Sequence, residues 1–153
     1  MSSETPSFEP LLGALLRFSW QQLRARLLDA LQRAGYVDLN AAHLNVFQYP
    51  PPQGVRPIDL AQRASMTRQA MNYLLAQLEE SGYLTRSAAT GKNSLVSLTD
   101  KGLRVALLLR SEVRRVESEW AATLGQERFD NLVAALRMIA GVASPGRPPL
   151  SSE

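Results

Sequence analysis

The chain has 153 residues, 45% of them hydrophobic and 20% charged, with a formal net charge of +3, no cysteine and one histidine, His43. That length allows one domain with a real core, or a small domain plus an assembly surface; the missing cysteines exclude disulfides, thiolate nucleophiles and zinc–thiolate sites. The longest apolar run, Val105 to Leu109, falls far short of the ~20 residues of a membrane span, and Met1 to Pro6 lacks the basic and apolar regions of a secretion signal, so a cytoplasmic protein without a membrane partner is expected.

Taken in order, the residues predict six helices and one hairpin. Residues 1–7 carry Pro6, and residues 141–153 hold Pro145, Pro148 and Pro149 among small residues; both read as flexible tails. Glu9-Pro10 opens a first helix that runs to Ala34 and stops at Gly35. Its Leu12, Leu16, Leu23, Leu27 and Leu31 recur at near-helical spacing. Phe18, Trp20 and Leu28 widen the apolar surface to more than one side, as in a helix that packs against a partner chain. Asn40 suits the N-cap of a short helix from Ala41 to Gln48, with Leu44 and Phe47 inward, and Pro50-Pro51-Pro52 ends it in an extended loop. Pro57 fits the first position of a helix that carries Ile58, Leu60 and Ala61 and ends near Ala64. Ser65-Met66-Thr67 then turns the chain into another helix, which makes a helix-turn-helix.

That next helix, Thr67 to Ser81, is the most informative. At about 100° per residue, Met71, Leu74, Leu75 and Leu78 gather on one side, while Arg68, Gln69, Asn72, Tyr73 and Ala76 gather on the other. Gly82 stops it, and strands at Tyr83–Ser87 and Leu95–Leu98 follow across a Gly-containing turn. A helix with one dry face and one face of flat hydrogen-bonding side chains, followed at once by a hairpin, describes a winged helix. Thr99 is a fitting N-cap for a long helix from Asp100 to Thr123, with Leu103, Leu107, Val113, Val116 and Trp120 opposite a polar set of Arg110, Glu112, Arg114, Arg115, Glu117 and Glu119. Gly125 breaks it, and a last helix, Gln126 to Ala140, lines up Phe129, Leu132, Val133, Leu136 and Ile139.

The charge is not spread evenly. Residues 1–55 and 105–153 each balance to zero, whereas residues 56–104 hold seven cations against four acids and so carry the entire +3. A polyanion is drawn to that segment. Within it, Arg68 and Gln69 at the start of the helix match the edges of guanine and adenine, and Asn72 one turn later also suits adenine. Thr67, Arg68, Gln69, Asn72 and Tyr73 are therefore the candidate contacts to double-stranded DNA, with Arg86 and Lys92 of the hairpin as phosphate or minor-groove candidates.

Three runs, Ile58 to Ala61, Met66 to Gly82 and Leu95 to Gly102, give the chain a resemblance to the MarR family of bacterial transcriptional regulators, extending over roughly Leu11 to Ile139. The resemblance implies a mainly α fold: a winged helix-turn-helix lobe at residues 40–99 with a two-stranded wing, flanked by dimerisation helices at residues 8–34 and 100–140. It also implies a homodimer that sets each recognition helix in a major groove. Many members of the family respond to small aromatic effectors held between the dimer helices and the DNA-binding lobe. Trp20, His43 and Phe47 are the candidate pocket residues here.

The wing loop, Ala88 to Asn93, is short and offers only Lys92, and Ala70 and Ala76 thin the reading face. Those features keep a second reading in view: a winged-helix module that docks a protein and reads no DNA sequence. No nucleophile elbow, phosphate loop or metal-ligand spacing is present, and Glu79-Glu80 diverge by about 100° on a helix, so neither an enzyme nor a cofactor or metal site is expected.

Overall fold

The computed structural model describes residues 9–47, 54–87 and 94–142. The tail at 1–7, most of that at 141–153, the end of the short helix at Gln48, the proline loop and the wing loop with Lys92 lie outside the described residues. The elements run α1 (Leu12–Arg33), α2 (Leu44–Phe47), α3 (Pro57–Arg63), α4 (Arg68–Glu80), β1 (Leu84–Arg86), β2 (Val96–Leu98), α5 (Asp100–Leu124) and α6 (Gln126–Ile139). The mainly helical winged-helix class is as expected. The chain divides into two compact units, Met1–Val113 and Arg114–Glu153, and α5 crosses their boundary.

The first unit is built around a cluster that joins Leu27 and Leu31 of α1 to Leu44, Val46 and Phe47 of α2, Leu60 of α3, Met71, Leu75 and Leu78 of α4, and Val105 and Leu109 of α5. Tyr83, between α4 and β1, is fully buried in it. The hairpin is antiparallel, with Leu84 opposite Leu98, Thr85 opposite Ser97 and Arg86 opposite Val96. Val55, just after the proline loop, pairs with Val96 in an isolated antiparallel bridge on the other side of β2.

Several boundaries differ from expectation for local reasons. Pro10 lies ahead of α1, whose N-cap is Leu11, so it is not the first helical residue. Asn40 does not cap a helix at Ala41: its Oδ1 accepts the Ala42 N–H at 3.0 Å in a turn, and α2 begins only at Leu44. Side-chain bonds of this kind compete with the helical ladder. Glu112, expected on the polar face of α5, is buried in line with Val105 and Leu109 and takes an ion pair from Arg26 of α1 at 3.0 Å. A polar residue is tolerated on that stripe because its charge is met there. The expected apolar Leu107 is 56% exposed.

Helix ends in this unit share one device. After α4, Gly82 (φ +78°) sits between Gly82 N–H donating to Glu79 O and Tyr83 N–H donating to Leu78 O. After α3 the same position is held by Ser65 at φ +52°, which costs a non-glycine residue on the order of 1 kcal/mol. That strained residue sets the bend of the helix-turn-helix.

In the second unit, α6 follows Gly125 and buries none of its residues. Leu132 (40% exposed), Leu136 (39%) and Ile139 (79%) of its predicted stripe stay open, as do Met138 and Val142.

Candidate nucleic-acid interface and effector cleft

Burial of Met71, Leu74, Leu75 and Leu78 fixes which side of α4 faces outward. Thr67 is the N-cap, and its Oγ1 accepts the Ala70 N–H at 3.1 Å, so the hydroxyl hydrogen remains available to an acceptor. Arg68, Gln69 and Tyr73 are exposed and Asn72 is half-buried, all on the outward side of one helix. The two ends of the helix have different neighbours. At its far end Glu79 Oε2 accepts from Arg86 Nε of β1 at 3.0 Å, so Arg86 is tied to the scaffold and does not project freely beside Arg68. Lys92 lies outside the described residues.

The candidate pocket residues separate. A cleft of about 450 Å³ in the first unit is lined by Phe47, Leu44, Leu27, Leu98 and, from α5, Leu103, Ala106, Leu107, Leu109, Arg110 and Val113. Phe47 is in its wall; Trp20, 38% exposed on α1, is not. His43 is buried beside the wall, where its Nδ1 accepts the Asn40 N–H at 3.1 Å and its Nε2–H donates to Gln77 Oε1 at 3.2 Å. Arg110, expected among the polar set of α5, is the charged side chain among the described lining residues. The spacing carries a signal: Arg110 lies three or four residues from Leu107, Ala106 and Val113 along α5, and Leu103 lies four before Leu107.

No family model matches the sequence. The HTH-type transcriptional repressor Rv2887 of Mycobacterium tuberculosis (strain ATCC 25618 / H37Rv) is 31% identical over 115 residues, which cover 74% of this chain and 81% of the relative. The M. tuberculosis MarR family protein Rv2887, solved in complex with salicylic acid, superposes with a TM-score of 0.59 and 29% identity over 84% of this chain and 98% of that one. The chain belongs to the MarR family. It is a winged-helix, DNA-binding transcriptional regulator. The fold is shared more widely: a MarR family regulator from Rhodococcus sp. RHA1 has a TM-score of 0.72 at 19% identity, covering 89% of this chain and 98% of that one. The repressor CouR, solved on a 23-mer DNA duplex, has a TM-score of 0.66 at 23% identity, covering 90% and 99%.

Proposed function

We infer that this MarR regulator works as a homodimer that reads a pseudo-palindromic operator with α4 and releases it when a small aromatic acid fills the α5 cleft. The outward face of α4 carries the reading: Arg68 and Gln69 in the first turn and Asn72 in the next present bidentate donors and acceptors on a helix whose other side is buried. Thr67 and Tyr73 flank them as phosphate contacts. Arg86 and Lys92 act on the wing side, Arg86 chiefly by holding Glu79. That CouR, of the same fold, was solved on a DNA duplex supports double-stranded DNA as the partner.

Two such helices require two subunits. Leu12, Leu16 and Phe18 of α1 are 66%, 46% and 46% exposed, and α6 separately leaves its apolar stripe open; a second subunit would cover such apolar faces. Leu136→Glu is expected to convert the dimer to a species with the mass of one chain, read by light scattering. An unchanged mass would remove α6 from the interface.

The cleft fits an amphipathic monoanion, with Phe47 and the leucines against a ring and Arg110 opposite a carboxylate. Rv2887 with salicylic acid supports that chemistry. Selection of bound sites from random DNA tests the main reading; half-sites should recur about 10 base pairs apart. On a selected site Arg68→Ala should cost about 1–3 kcal/mol and relax preference at one base, while random duplexes lose only their electrostatic share. Equal affinity of the wild type for selected and random duplexes across a salt titration would instead favour the protein-docking module.

A further inference from the structure

No described residue of α4 lines the cleft, yet one element touches both. α2 contributes Leu44 and Phe47 to the cleft wall, and these are 1% and 7% exposed. The residue just before α2, His43, donates from Nε2 to Gln77 Oε1 of α4 at 3.2 Å. Phe47 meets Tyr83 edge-on at 6.0 Å between ring centroids, and the Tyr83 N–H donates to Leu78 O, closing the C-terminal end of α4. The segment from His43 to Phe47 thus reaches the recognition helix directly through the His43–Gln77 bond and indirectly through Phe47 on Tyr83, which follows its last turn.

We propose that α2 is the lever that carries occupancy of the cleft to the recognition helix, with His43 and Gln77 as positioning residues for DNA reading; this rests on the effector reading of the cleft. Leu44, Val46 and Phe47 are all buried in so short a helix that an occupant pushing Leu44 and Phe47 displaces α2 as a body. The His43–Gln77 bond is directional, and it passes that displacement to the C-terminal half of α4. Arg68 lies nine residues from Gln77, about 13 Å along the axis, so a small tilt at Gln77 moves Arg68 and Gln69 by more than a base-edge hydrogen bond tolerates.

The test needs no known effector. Ala106→Phe fills the cleft permanently, and binding of the full chain to a selected duplex is titrated with and without Gln77→Met, which keeps the side-chain length and removes the acceptor. Ala106→Phe should weaken binding about tenfold in the wild-type background and by no more than about twofold beside Gln77→Met. Gln77→Glu keeps an acceptor oxygen and should restore the response. Hydrogen exchange of the α4 amides in the free protein gives the same comparison without DNA: protection should fall on filling the cleft and should not fall further beside Gln77→Met. Leu107→Trp, at an exposed wall position, replaces Ala106→Phe if thermal unfolding shows that variant is not folded. An equal effect of filling in both backgrounds, or no effect in the wild type, overturns the lever. Sodium salicylate separates the two ideas. Release of duplex from the wild type and Gln77→Met alike keeps the effector and sinks the lever; filling that acts through Gln77 while salicylate changes nothing keeps the lever and sinks that effector.

Discussion

Gly102→Ala is expected to destabilise the first unit by about 3 kcal/mol, although helix propensity alone predicts a gain of about 1 kcal/mol. Gly102 lies in the opening turn of α5, where a methyl group would normally be welcome. Here a Cβ would overlap the Tyr83 carbonyl oxygen and come within 3.1 Å of its carbon and 3.2 Å of Leu98 Cδ2. The obstacle is backbone, and it is already committed: that carbonyl accepts the Thr99 N–H at 3.0 Å, while Thr99 Oγ1 accepts the Gly102 N–H at 3.1 Å and donates to Gly82 O. The alanine must therefore push β2 and the start of α5 away from the end of α4. Denaturant titration should show a lower midpoint at unchanged slope. Gly13→Ala, in a helix with nothing within 4 Å of the new methyl, is the control and should be neutral or mildly stabilising. An unshifted midpoint for Gly102→Ala would mean that the hairpin and α5 separate at no cost.

The same junction shows what sequence can and cannot carry. The strand at Leu95–Leu98 and the Thr99 cap are local signals, and the run through Gly102 adds a resemblance to the family's exit from the wing into a long helix. Why the glycine is needed is not local: its neighbour is Tyr83, nineteen positions back. The two faces of α4 were legible because a 3.6-residue period over thirteen residues leaves little choice. Glu112 was not, since a carboxylate on an apolar stripe makes sense only once Arg26 is seen opposite it. His43 was singled out as a pocket residue, yet its ring is engaged by Asn40 and Gln77, and only the second of those partners is distant in sequence. At Gly102, Glu112 and His43 tertiary pairing, more than propensity, decided the outcome.

Tyr83 is the position where loss should be greatest. Tyr83→Ala is expected to cost about 3–5 kcal/mol, the range for removing a fully buried aromatic ring. The ring packs against Tyr36 and Phe47 at 6.2 and 6.0 Å, and the Lys101 ammonium lies 4.1 Å from its centroid while donating to Ser81 O. Tyr83→Phe separates the hydroxyl from the ring. The hydroxyl donates to Asp38 Oδ1 at 2.7 Å, and because Asp38 is exposed and rehydrates readily, about 1.5 kcal/mol is expected for its loss. Burial first, and the bond to Asp38 second, hold the phenol proton well above its ordinary range. The unfolded phenol ionises near pH ~10 while the folded one stays neutral, so this contribution is complete below that pH and falls as pH rises beyond it. Stability measured from about pH 9 to 11 should therefore decline more steeply in the wild type than in Tyr83→Phe; parallel curves would mean that the folded hydroxyl titrates as if in water. Tyr83 also lies between the Phe47 wall of the cleft and the last turn of α4. Tyr83→Phe keeps that ring contact, so its affinity for a selected duplex, corrected for folded fraction, should match the wild type. Tyr83→Leu, which fills the space without a flat edge for Phe47, should bind more weakly than its folded fraction predicts.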